Sequence, residues 1–320
     1  MGGVDKQKGY LRSVRILLLM LIVGTSLGGA TLKAQHSPLL SQYMFNQLIV
    51  NPAYTGSRDA LSVTGLFRRQ WVGLNGAPRT ESFYLHTPLP NSKNNFGFNL
   101  VHDRIGVTNN VSINGSYAYR IDFGEDRGRL AFGLQGGVSL IQSKFSQVVT
   151  DVPGDDVFGA DSPTFRVPRV GFGVYFDTRT WYVGASAPFL ISYENDAYKS
   201  YNQNSIYHKP YMLMGGFLVP INPDLLLRPS VLTKYIAGSG FQFDLNANLI
   251  IKDALWLGGS YRSRDGLVGM IEYQLNPQLR FGYAYDYNLT PLQNYNHGSH
   301  EFMIRYEFGY EIKAMSPRYF

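Results

Sequence analysis

Several stretches of this chain alternate between apolar and polar residues for longer than strands of soluble proteins usually run. In GFQFDLNANLII, Phe241, Phe243, Leu245, Ala247, Leu249 and Ile251 share one face, opposite Gln242, Asp244, Asn246 and Asn248. NVSINGSYAYRIDF and EFMIRYEFGYEI sort in the same way. Such alternation makes a β-strand with one apolar and one polar face. Soluble strands average about 5–6 residues, whereas strands that cross an outer membrane need roughly 9–11. The pattern predicts an all-β chain of about fourteen antiparallel strands. They lie near 60–71, 79–87, 95–103, 109–123, 129–143, 168–177, 180–187, 209–219, 224–236, 240–251, 254–263, 266–275, 278–287 and 300–312.

The linkers carry a second signal. Outer-membrane barrels have short periplasmic turns and long extracellular loops. Linkers after even-numbered strands read PLPNSKNN, GEDR, DT, PINP, KD and NP, all short. The three longest linkers, Ser143–Val167, Pro188–His208 and Asn288–Ser299, all follow odd-numbered strands. A transmembrane β-barrel with a periplasmic N-terminus accounts for this segregation; a soluble sandwich does not. Two strands fit the pattern poorly. YMLMGGFLV is apolar on both faces, and Pro229 interrupts 224–236 where a ladder hydrogen bond is needed.

Before the strands, Lys6, Lys8, Arg12 and Arg15 precede an apolar run, Ile16 to Val23, and then small residues up to Ala34. This is the layout of a cleavable secretory signal over residues 1–34, too short in its apolar part to span a bilayer as a helix. That segment holds five basic residues and one acid, leaving 24 basic and 22 acidic of the chain's 29 and 23. The basic balance is therefore mostly targeting sequence, and a nucleic-acid partner loses its support. With no cysteine, disulfides play no part. Charged residues are sparse at 16%, against about 25% in soluble domains, while 23 tyrosines and 20 phenylalanines are abundant. An exported β-protein meeting lipid fits that composition. Tyr119, Tyr175, Tyr182, Tyr283, Tyr285, Tyr287 and Tyr310 suit interfacial aromatic girdles.

The polar faces predict a lumen lined by Asn, Gln, Ser and Gly, with Arg120, Asp244, Glu272, Arg280, Asp286, Arg305 and Glu307 among its charges. The glycines of FGLQGGVSL suit a crowded wall. Ion pairs in a hydrated lumen explain these charges better than an active site. No nucleotide fingerprint, metal set or catalytic triad is present. His297, Ser299 and His300 cluster in a loop, where solvated histidines are the ordinary case. The acidic loop TDVPGDDVFGAD, with Asp151, Asp155, Asp156 and Asp161, lacks the spacing of a calcium loop. The sequence thus predicts a non-enzymatic protein without cofactor or metal.

Between signal and first strand lies QYMFNQLIVNPAYTGSRD. Leu39, Leu40, Tyr43, Met44 and Leu48 recur every three or four residues, as in a short amphipathic helix that Asn51-Pro52 would stop. So apolar a segment is not left in water. Residues 35–59 are expected to fold into or against the periplasmic mouth of a barrel formed by 60–320, as a plug or partner-docking element.

This stretch resembles the start of the PorP/SprF family, outer-membrane proteins of the type IX secretion system of Bacteroidetes. The likeness rests on Gln42-Tyr43-Met44-Phe45-Asn46, Asn51-Pro52-Ala53-Tyr54 with Gly56-Ser57, Arg69-Gln70-Trp71 and the Gly76-Ala77-Pro78 turn. The resemblance implies a barrel, monomeric within a hetero-complex, that supports secretion or surface tethering of adhesin-like cargo with a C-terminal sorting domain. Translocon and periplasmic ring components are its implied partners, with outer-membrane lipid around it. It implies no catalytic residues. Gln42, Tyr43, Phe45, Asn46, Asn51, Pro52, Tyr54, Gly56, Arg69, Gln70 and Trp71 are the candidate plug or partner residues. Asn51-Pro52-Ala53 also resembles an element of the FadL-like transporters, fourteen-stranded barrels with an N-terminal hatch. That likeness implies the alternative, a channel for small or hydrophobic solutes.

Overall fold

The computed structural model describes residues 40–90, 93–124, 127–148, 160–189, 209–236 and 240–308. Antiparallel strands follow one another around a closed sheet. They are β1 (Leu61–Arg69), β2 (Arg79–Pro88), β3 (Asn94–Ile105), β4 (Thr108–Asp122), β5 (Arg129–Ser143), β6 (Phe165–Asp177) and β7 (Trp181–Ala187). β8 runs over Pro210–Phe217 and resumes as Val219–Asn222. β9 (Leu225–Ile236), β10 (Gly240–Ile251), β11 (Leu255–Arg262), β12 (Gly266–Gln274), β13 (Leu279–Asn288) and β14 (Ser299–Phe308) complete the sheet. Counting β8 once gives fourteen strands among the described residues. β1 closes the barrel on β14, in register from Leu61↔Phe308 to Arg69↔His300. Closure removes the free edges that a bilayer would leave unsatisfied.

The alternation works as the sequence predicts. Along β1, Ser62, Thr64, Leu66 and Arg68 are buried inside, while Phe67 faces out. Phe83, Leu100, Phe132, Leu134, Leu213, Leu257, Ile271, Phe302 and Ile304 are all exposed on the outer face, which is the apolar band lipid requires. All seven expected lumen charges are buried within. The proline problem also resolves locally. The break in β8 at Leu218 lies opposite Arg228 and Pro229, between the pairs Ser230↔Gly216 and Leu227↔Val219. Pro229 has no N–H to offer that neighbour. The apolar inner face of β8, Met212 and Met214, packs into the protein's hydrophobic cluster.

Two expectations need correction. Tyr175 and Tyr182 are not girdle residues: both are buried in the lumen, stacked with ring centroids 5.7 Å apart. Period two assigns a tyrosine to a face but does not say which face meets lipid. Tyr119 and Tyr287 do sit on the exposed face, and Tyr310 lies outside the described residues. Among the described residues, which begin at Leu40, the amphipathic helix is also absent. Residues 41–45 form turns, followed by two 3-10 turns, Gln47–Ile49 and Pro52–Tyr54. Spacings of three and four serve a chain curled upon itself as well as an α-helix.

Candidate functional site

The hydrophobic core lies between the N-terminal segment and the barrel wall. Leu40, Tyr43, Met44, Phe45, Leu48, Val50, Ala53 and Tyr54 form one cluster with inward side chains including Leu66, Tyr84, Tyr175, Met214, Leu232, Ile250, Trp256, Met270 and Met303. A lumen this wide needs an occupant or an aqueous channel, and the chain supplies residues 40–59.

The wall partners trace its path. At the end bearing the long connections, the Ser41 and Gln42 backbone N–H groups donate to the Glu301 carboxylate at 2.7 and 2.8 Å. Ser41 Oγ donates to Asp286. Arg68 joins both acids, 2.6 Å from Asp286 and 3.2 Å from Glu301. Arg262 bridges Asp244, Asp265 and Asp286. The chain then descends. Asn246 donates to Tyr43 Oη at 2.7 Å, and Arg305 donates to the Phe45 carbonyl. The Phe45 ring meets Trp256 edge-on at 5.6 Å, with the Arg228 and Arg280 guanidiniums 5.0 and 4.5 Å from the same indole. Val50 turns back toward the long connections, its carbonyl accepting from Ser186 Oγ at 2.6 Å.

From Asn51 the segment runs to the short-turn end. Asn51 is extended and caps the second 3-10 turn, accepting from Ala53 N at 2.9 Å and donating to the Val174 carbonyl at 3.0 Å. Pro52 occupies the first position of that turn, where no N–H is needed. Tyr54 meets the Tyr175 ring edge-on at 5.7 Å. Thr55 Oγ1 donates to Ser116 Oγ at 2.9 Å, Gly56 N to His86 Nδ1 at 3.1 Å, and Arg120 donates to the Gly56 and Thr55 carbonyls. Arg58 pairs with Glu307 at 2.8 Å, and Asp59 with Arg129 at 3.1 Å. Residues 40–59 thus extend along the lumen and end at its short-turn end, while residues 35–39 lie outside the described residues.

Wall glycines make room for it. A Cβ on Gly133 would stand 2.2 Å from Ala53 N, one on Gly173 2.0 Å from Asn51 Oδ1, and one on Gly282 2.2 Å from Gln42 Oε1. Gly56, at φ +74°, takes a conformation that other residues rarely adopt, with Asn95 against it. Electrostatics follow the packing. Burial, reinforced by Asp244, pushes the Tyr43 hydroxyl well above its ordinary pKa and keeps it neutral. Burial opposes the Arg58 charge, but Glu307 outweighs it and holds the guanidinium above its usual value.

Of the candidates from sequence, Gln42, Tyr43, Phe45, Asn46, Asn51, Pro52, Tyr54 and Gly56 are thus brought together inside the barrel. Arg69, Gln70 and Trp71 are not; they form the rim where β1 leads into its connection with β2, Trp71 N donating to Ser299 Oγ at 3.2 Å. Arg68 and Arg262 belong to no motif, since a lone charge on a strand's polar face looks like any other. The loop histidines make structural contacts: His297 N donates to the Val72 carbonyl, and His300 Nδ1 lies 2.8 Å from Tyr283 Oη. Asp151, Asp155 and Asp156 lie outside the described residues. Asp161 accepts from Ser146 N and Oγ, bonds that lower its pKa.

Residues 32–306 match the model of the type IX secretion system membrane protein PorP/SprF. The chain belongs to the PorP/SprF family. It is an outer-membrane β-barrel, and its family is one of secretion-system membrane proteins. None of the curated proteins matches it. Among solved structures it is similar to the outer membrane protein Omp33 of Acinetobacter baumannii at 8% identity, covering 78% of this chain and 100% of that one, with a TM-score of 0.46. The KdgM porin is matched at 12% identity over 78% of this chain and 99% of its own, TM-score 0.37. A mutant porin of Rh. blastica gives 10% identity, 78% and 99% coverage, and a TM-score of 0.33.

Proposed function

We propose that this PorP/SprF protein is a non-enzymatic, plugged barrel that supports secretion or surface tethering of cargo carrying a C-terminal sorting domain. The observation that carries the reading is the lumen's contents in a member of a type IX secretion family. Residues 40–59 occupy the lumen and are bonded to the wall at both ends. A lumen cavity beside Leu40, Val50 and Lys234 measures about 90 Å³, well below the roughly 300–1,000 Å³ of ordinary ligand sites. These features weigh against a FadL-like or porin-type channel. The barrel acts as a fixed platform, working by protein binding, not chemistry. The outward end of the barrel, where β5, β7 and β13 finish, offers the surface for cargo. The short-turn end, where residues 55–59 lie, faces the periplasmic ring components, and the translocon is a further partner. Residues 1–34 act as the export signal.

A deletion strain tests this reading. Surface labelling of cargo with a C-terminal sorting domain should fall, while uptake of small solutes stays unchanged. Normal cargo display with impaired uptake would instead establish the channel.

A further inference from the structure

The outer face of the barrel carries a second feature that the filled lumen does not explain. Arg69, Arg79 and Arg104 are register neighbours on β1, β2 and β3: Arg69 pairs with Arg79, and Arg79 with Arg104. All three are exposed on the lipid-facing side, at the strand ends beside the long connections. Among the described residues, none of the three makes an ion pair. Like charges directly opposite one another on neighbouring strands repel, so this triplet is a cost unless an anion joins it. Together with the β1–β2 connection they line a pocket of about 350 Å³.

An apolar groove of about 750 Å³ begins one outward position below, at Phe67, Glu81 and His102. Its walls include Phe83, Phe302 and Ile304. Gly65 faces outward between Ile304 and Phe83 in register. A Cβ there would meet only Ile304, at 3.5 Å. No clash demands glycine at that position; its missing side chain leaves the groove open.

We infer that this face binds a phosphorylated, acylated glycolipid of the outer leaflet, its phosphates on Arg69, Arg79 and Arg104 and an acyl chain in the groove over Gly65. Guanidinium groups suit phosphate because their paired N–H donors match two of its oxygens. The strand-end position sets the arginines at the depth of headgroups, where exposed charge on a barrel costs little. By the loop-length rule, that end is the outer one. The site would anchor the barrel at a fixed height and rotation beside β1.

Native mass spectrometry of the full-length protein, released from detergent micelles after titration with lipid A, tests the inference. Lipid A should bind in a one-to-one complex, and dephosphorylated lipid A about tenfold or more weaker, the size expected on losing charge-assisted contacts. The triple variant R69Q/R79Q/R104Q should lose binding to a similar extent while keeping heat-dependent gel migration. Gly65→Leu fills the groove without touching the arginines, and should weaken lipid A while leaving inorganic phosphate binding as it is. Equal binding of the dephosphorylated lipid, or an unchanged triple variant, would overturn the inference. Phosphate binding as tightly as lipid A, with Gly65→Leu silent, would replace it with a free-anion site.

Discussion

Replacing Glu301 with glutamine removes a negative charge where three donors converge. Its side chain is fully buried and receives the Ser41 and Gln42 N–H groups at 2.7 and 2.8 Å, with Arg68 at 3.2 Å. Glutamine keeps one acceptor oxygen and turns the other into a donor facing a donor. Removing one partner of a buried ion pair costs about 3–5 kcal/mol. The loss should fall on the segment more than on the barrel, because β14 is held by backbone ladders to β1 and β13 on its two sides. At about 1.4 kcal/mol per tenfold, the detached population of the segment should rise about 100-fold or more. Hydrogen exchange reads this directly. The amides of Phe45, Asn46, Ile49 and Val50 bond to carbonyls within the segment and should lose protection, while strand amides and heat-dependent migration hold. Adding Arg68→Gln should recover part of the loss, since Asp286 still keeps Ser41 Oγ and Arg262. Unchanged protection at those four amides, or loss of the whole barrel together with the segment, would refute the reasoning.

Other consequences follow from the same packing. Gly133→Ala places its Cβ on the Ala53 backbone, not on a side chain that could swing away. It should cost about 1–3 kcal/mol, seen as faster proteolysis near residue 53 in the folded protein; an inert substitution would mean that the segment is not held there. Deleting residues 40–59 should leave a barrel with stable, open conductance in planar bilayers where the intact protein is closed. Equal conductance of the two forms would contradict a plugged lumen. Phe45→Ala removes the ring against Trp256, with an expected loss of about 3–5 kcal/mol in segment docking and a change in tryptophan emission; unaltered emission and exchange would count against that contact.

The barrel was legible in the sequence because lipid imposes its own periodicity. Strand β10 was read to the residue, since Phe241 through Ile251 must alternate whatever the neighbouring strands do. The sorting of inward charges such as Asp286 and Arg305 came from the same constraint. The interior was less legible, because contacts between the segment and the wall join positions far apart in the chain and obey no period. Ser41 and Glu301 meet across most of the sequence, and nothing local distinguishes Glu301 from an ordinary lumen acid. Tyr175 reads as a girdle residue for the same reason: a tyrosine serves as well stacked on Tyr182 as at a membrane interface. Gly133 did leave a trace, as a strand glycine in a crowded wall, but its neighbour there could not be read from sequence.

An engineered disulfide in native outer membranes tests the central claim most directly. The chain has no cysteine of its own, and Thr55 Oγ1 lies 2.9 Å from Ser116 Oγ on β4. Thr55→Cys with Ser116→Cys brings two sulfurs within reach of a bond whose length is about 2.0 Å. A lumen filled by its own N-terminal segment predicts near-complete internal crosslinking in cells, seen as a mobility shift that a reductant reverses. Two thiols that each label freely with maleimide, in a barrel that still shows heat-dependent migration, would contradict it.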